Sequence, residues 1–201
     1  MNLFPLDEDL DKCAQYHVDR HVNKMQLEAA QILCTNVIID HLFGYVPRLL
    51  TKEENAGLAQ YRKENKDLAM EDRFVPYLPC HQNHPSTVWC RTSLENFYWT
   101  HCYANALSSE AHYRYGSVHK SIQVINSLPE PVHMQDIGAT TLALAMKIMP
   151  DKYKDENDPI LSYRNFYMYD KNAFAEWKHR DVPYWWDNDL VAEMEKEKNG
   201  L

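Results

Sequence analysis

Between Tyr16 and Leu33 the chain repeats with the period of an α-helix, and this stretch constrains the fold more than any other. His17, His21, Lys24 and Glu28 follow one another at steps of three and four residues, so they form one polar stripe. Val18, Val22, Met25, Ala29 and Ile32 do the same one position later, giving an apolar stripe about 100° around the axis. Two imidazoles, an amine and a carboxylate thus stand at the border of a buried face. Desolvation and neighbouring charge tune pKa values for chemistry at such a border. A plain helix edge, with polar tips in water and stems over the core, has the same pattern.

The rest of the chain reads as helices separated by Pro and Gly, with no sustained strand alternation and no internal repeat. Residues 2–6 are a short extended entry, because Pro5 biases its neighbour away from the helical region. Asp7 or Asp9 can cap the first helix. One long helix, or a short turn and then a long one, is expected over about residues 10–41, stopped by Gly44 and Pro47. Residues 51–75 are an exposed helix or insertion, with Thr51 and Glu54 in capping-box spacing. A second long helix is expected over 86–115, ended by Gly116. Short helices are expected over 117–128, 140–149 and 159–177. The aromatic stretch 178–186 is non-helical, and 188–201 is a charged, frayed helical tail. The expectation is an all-α protein: a single compact helical domain with two long core helices and an aromatic C-terminal segment.

Composition narrows the function classes. The net charge is −8, and no part of the chain is globally basic, which counts against tight non-specific duplex binding. No window is apolar enough for a transmembrane helix, and the acidic N-terminus lacks the basic start of a signal peptide. Cys13, Cys34, Cys80, Cys90 and Cys102 are scattered and odd in number, as expected of reduced thiols in a cytoplasm.

Four groups of residues could carry chemistry. In the opening stripe, Lys24 could attack a carbonyl-like carbon, with Glu28 as general base or as stabiliser of a cationic sugar. An ordinary Lys24–Glu28 helix pair explains the same spacing. His17 and His21, four apart, could hold a divalent metal with Glu28 as a third ligand. The second group runs from His84 and Pro85 to Arg91, where a helix start and a guanidinium could hold an anion. The third, from Glu110 through Arg114, Tyr115, His119 and Lys120, is a cationic corner at a helix end. The fourth interleaves Arg164, Trp177, Lys178, Arg180, Trp185 and Trp186, as nucleotide-binding surfaces and folded-back C-terminal segments both do.

The pattern Asp19-Arg20-His21-Val22-Asn23-Lys24-Met25, then Asn83-His84-Pro85, Trp89, Arg91, Arg114-Tyr115-Gly116, His119 and Pro183-Tyr184-Trp185-Trp186, resembles a family of small proteins of tailed phages and some bacteria. That family is distantly similar to the phage pyrimidine-dimer DNA glycosylases. These are small all-helical enzymes with Asp-x-His at the start of the first helix and a catalytic glutamate seven residues beyond the histidine. Asp19, His21 and Glu28 match in type and spacing, so the resemblance places the catalytic glutamate at Glu28. The chain departs from that pattern in two respects. Asn2 stands where those enzymes expose an N-terminal threonine, and their first-helix arginines fall on Leu27 and Gln31.

The resemblance implies a glycosylase-like enzyme acting on DNA or a nucleotide, without a cofactor. Its catalytic residues would be Glu28, Lys24 and His21, with the α-amine of Met1 as an alternative nucleophile. Asp19, His84, Arg91, Arg114, Tyr115, His119, Lys120, Arg180 and Trp185 would bind substrate. The alternatives are a metal-dependent hydrolase or oxygenase using His17, His21 and Glu28, and a non-catalytic phage protein binding a nucleotide or host factor.

Overall fold

A computed structural model describes residues 2–142, 146, 147 and 149–198. Over these residues the chain is all-α, with eight α-helices and no strand. Helix α1 (Leu10–Tyr16) is capped by Asp9, whose carboxylate accepts from the N–H groups of Asp11 and Lys12. Helix α2 (Asp19–Phe43) begins after a break of two extended residues, His17 and Val18.

The break has a specific cause. The buried Arg114 guanidinium takes the carbonyls of Gln15 at 2.8 Å and His17 at 2.9 Å, which a continuous helix would give to Asp19 and His21. Asp19 N–H donates instead to Glu176 O, and Val18 N–H donates to the Tyr167 hydroxyl. The polar stripe is therefore not on one helix: His17 lies outside α2.

From Ile32 to Asp40 every residue of α2 is buried, and the helix runs through the middle of the fold against α4, α5 and α6. Each aliphatic side chain buried there contributes roughly 1.5–3 kcal/mol. Gly44 ends α2 with φ 73°, a conformation that favours glycine. Helix α3 (Lys52–Asn65) has the expected Thr51–Glu54 capping box and buries only Leu58. Gly57 lets it approach α2, since a Cβ there would stand 3.2 Å from the Phe43 ring.

The second long helix is also split, into α4 (Pro85–Cys90) and α5 (Leu94–Tyr115). Asn96 Nδ2 and Thr92 Oγ1 both donate to the Trp89 carbonyl, and Ser93 caps α5 through Asn96 N–H. Gly116 closes α5 in the left-handed conformation. Helix α6 (Lys120–Asn126) comes next. The expected helix over 140–149 includes residues that lie outside those described. Helix α7 (Pro159–Lys171) passes into a 3₁₀ turn at Asn172–Phe174, stopping short of the expected Trp177. Residues 178–186 are non-helical, as expected, and helix α8 (Asn188–Lys198) forms the charged tail.

The N-terminal strap is part of the core. Leu3, Phe4 and Leu6 are buried, and the Phe4 ring stacks on His21 at 5.0 Å and meets Tyr167 edge-on at 5.4 Å. No helix among the described residues is long and apolar enough to cross a membrane.

Candidate functional site

The solvent-facing edge of α2 carries Arg20, Asn23, Lys24, Leu27, Glu28 and Gln31, at helical spacing and at least partly exposed. At its Glu28 end the side chain is only 13% exposed and its carboxylate is engaged through both oxygens. Asn2 N–H donates to Oε2 at 2.5 Å, so the strap holds that oxygen from the chain's first residues. Lys24 Nζ stands 3.3 Å from Oε1, its own side chain 62% exposed.

The charge of this carboxylate also acts on two further groups. Burial pushes the His84 imidazole down to about 4, with His81 adding to that and Glu28 opposing it. The Lys171 amine, in the last turn of α7, is lowered by burial and by the Lys24 charge, with Asp170 and Glu28 opposing. Glu28 thus pairs with Lys24 directly and acts on His84 and Lys171 through its charge.

The two histidines of the stripe are core groups. His17 Nδ1 donates to Cys13 O at 2.7 Å, which leaves Nε2 to accept from the Tyr103 hydroxyl at 2.8 Å. His21 Nδ1 is 2.7 Å from the Tyr167 hydroxyl, with Phe4 and Phe174 against its ring. Burial lowers His17 to about 4 and His21 to about 3, so both are neutral near pH 7. With both His17 nitrogens engaged, the expected ligand set of His17, His21 and Glu28 does not assemble. No group of three or more His, Cys, Asp or Glu side chains among the described residues is placed to hold a metal ion. His21 packs against Phe4, Tyr167 and Phe174 in the core.

At the N-terminus of α2, on the side of the helix away from Glu28, Asp19 accepts from Arg114 Nη1 at 2.9 Å and from Lys178 N–H at 3.0 Å. The Tyr115 hydroxyl also bonds to Asp19, which raises the tyrosine pKa, while burial contributes more to the same shift. Arg114 Nε donates to Glu110 at 2.6 Å, and Arg180 donates to both Glu110 oxygens at 3.0 and 2.8 Å with its guanidinium 4.0 Å over the Tyr113 ring. Burial works against the Asp19 and Glu110 anions, but these donors hold both carboxyls below their ordinary values.

Beside this network lies a cleft of about 610 Å³ lined by Asp19, Asn172, Trp177, Lys178, Arg180 and Trp186, among others. The Trp177 and Trp186 rings meet edge-on at 4.9 Å. Opposite signs of charge, two amides and two indoles line one concavity, a composition suited to a planar polar group.

Several expected binding residues have other tasks. Arg91 is buried and donates to the carbonyls of Val46, Gln82 and Arg48, so it ties loops together and cannot reach a phosphate. With carbonyls rather than a carboxylate around the guanidinium, burial pushes it down to about 10. Arg114 is equally buried, holding the α1–α2 break. His84 caps α4 and His119 caps α6, each accepting from a serine N–H, and Lys120 is an exposed residue of α6. Trp185 packs edge-on against Tyr16 at 5.8 Å with the Arg164 guanidinium 5.4 Å over its ring, and Trp186 rather than Trp185 lines the cleft.

Lys171 was not legible from the sequence, because nothing in local spacing links the end of α7 to α2. Trp177 and Trp186 stood in the aromatic run, whose alternation did not show which rings turn toward Asp19. Comparison with family models, curated proteins and solved structures finds no match to this chain.

Proposed function

We propose that this protein is a glycosylase-like enzyme acting on DNA or a nucleotide, with Glu28 as the acid/base or the stabiliser of a cationic sugar. The observation that carries the reading is the held carboxylate: Glu28 is nearly covered, fixed on one oxygen by Asn2 N–H and flanked on the other by the Lys24 amine. Cleaving an N-glycosidic bond leaves positive charge on the sugar and negative charge on the departing base. A positioned carboxylate serves the first or delivers a proton to the second. The match of Asp19, His21 and Glu28 to the phage pyrimidine-dimer glycosylase pattern points to the same residue.

The cleft at the N-terminus of α2 supports a stacking role, with Trp177 and Trp186 receiving a base. A base within a duplex must first be flipped out, at a cost of a few kcal/mol that favours damaged or modified bases.

The test is excision from labelled duplexes carrying an ultraviolet dimer, an alkylated base or an abasic site. Base release or strand cleavage lost in Glu28→Gln, with thermal unfolding unchanged, supports the reading. Retained activity in that variant removes Glu28 from the chemistry.

A further inference from the structure

We propose that the cleft at the N-terminus of α2 takes a guanine nucleotide, its base against the Trp177 and Trp186 indoles, its edge read by Glu176 and its phosphate held by Lys178. This rests on the reading of the cleft as a base-receiving site and does not need the chemistry at Glu28. The cleft volume of about 610 Å³ falls within the roughly 300–1,000 Å³ of small-molecule sites.

The wall of the cleft is fixed before any ligand arrives. Asp19 N–H donates to Glu176 O at 2.8 Å, and Lys178 N–H donates to the two Asp19 oxygens at 3.0 and 3.2 Å. The backbone of 176–178 is thereby clamped to the first residue of α2. Each indole is oriented by its own N–H: Trp177 Nε1 donates to Tyr16 O at 2.9 Å and Trp186 Nε1 to Asn188 Oδ1 at 3.2 Å. Rings held in this way lose little freedom when a base stacks on them, and stacking favours every base alike.

Selection falls to the charged side chains that line the cleft: Asp19, Glu176, Lys178 and Arg180. Asp19 is occupied by Arg114 and the Lys178 N–H, and Arg180 is locked on Glu110 through Nε and Nη2. Glu176 and Lys178 are different. Both are exposed, and neither is in an ion pair among the described residues, the Lys178 amine standing 5.2 Å over the Tyr115 ring.

A carboxylate without a cation accepts two parallel N–H bonds. Among the common bases, guanine offers two adjacent donors for it, N1–H and N2–H. Adenine and cytosine set a ring acceptor beside their amino group, and uracil flanks its N3–H with two carbonyl oxygens. Each of those three turns a lone pair toward the carboxylate. Lys178 puts the opposite charge on the same wall, a point charge suited to phosphate.

The experiment follows the indole fluorescence of the full chain as GMP, AMP, CMP and UMP are added in separate titrations. GMP is expected to quench it and to bind about tenfold more tightly than the other three. Glu176→Gln is expected to abolish that preference and leave AMP binding unchanged. Lys178→Gln is expected to weaken GMP and leave guanosine unchanged. Both side chains stand in solvent and the backbone clamp on Asp19 survives both substitutions, which a thermal melt checks. Equal affinity for the four nucleotides, a guanine preference that survives in Glu176→Gln, or no quenching at millimolar ligand overturns the proposal.

A guanine within a single strand carries the same base and phosphate. Oligothymidylate with one guanine, bound more tightly than GMP, assigns the cleft to a strand, and weaker binding assigns it to a free nucleotide. Guanine-selective binding with no excision from any duplex supports the cleft while removing DNA as the substrate of Glu28. Excision lost in Glu28→Gln, with no nucleotide bound at the cleft, overturns this proposal alone.

Discussion

The N-terminus of α2 and its Glu28 turn are built from the same kinds of side chain and held in opposite ways. At the Asp19 end the charges are cross-linked: Asp19 and Glu110 share Arg114, and Glu110 also holds Arg180 in a two-pronged contact. At the Glu28 turn the carboxylate meets a backbone N–H and a mostly exposed lysine. A network of guanidinium forks fixes geometry and leaves no group to react. A carboxylate whose lysine partner stands mostly in water is held far less rigidly.

Predictions that break or sharpen this contrast run from large to small. Arg114→Ala removes the guanidinium buried between Asp19 and Glu110 and frees the carbonyls at the α1–α2 break. It should cost about 3–5 kcal/mol, read as a drop in the urea midpoint. Little change would mean that the Asp19 end is not a scaffold.

The buried imidazoles give the next effect, through pH. His17 is held near 4 against an ordinary value of 6.5, so the unfolded chain takes up its proton first. Its contribution is full above pH 6.5 and is lost as pH falls toward 4, on the order of 3 kcal/mol. His21, lowered to about 3, acts in the same direction. The depressed carboxyls Asp19 and Glu110 keep their contribution until pH drops to about 4 and below. Urea midpoints between pH 7 and 4 should therefore decline already above about pH 5, and His17→Gln should flatten that slope.

At the other end the balance reverses. Glu28→Gln retains an oxygen for Asn2 N–H, so stability should change by less than about 1 kcal/mol while activity falls about 100-fold or more. Initial rates at saturating substrate, set beside a thermal melt, check both halves. The smallest effect belongs to Lys24→Ala, an exposed i, i+4 pair worth about 0.3–0.5 kcal/mol. A loss much above about 1 kcal/mol there would show that Lys24 is part of the scaffold.

Helical period was enough to show α2, its buried face, and Lys24 with Glu28 as neighbours, because one turn of helix decides all three. The caps at Asp9, Thr51 and Gly116 were equally legible, since each depends on local backbone geometry. The break at His17 was not, because its cause is a guanidinium 97 residues away in sequence. Arg91 and Arg114 read as anion binders for the same reason. Sequence shows a cation near a helix end, but it does not show that three backbone carbonyls converge on Arg91 in the interior. The expected spacing of His17 and His21 on one helix face is lost with the break, since they are four apart without sharing a helix.

Because the amide of Asn2 lies against Glu28, a group fused just ahead of the strap would start close to that carboxylate. A purification handle fused at that end would crowd the very groups an assay sets out to measure. One placed beyond α8 would avoid that crowding at Asn2. A silent preparation of the first kind says little about activity.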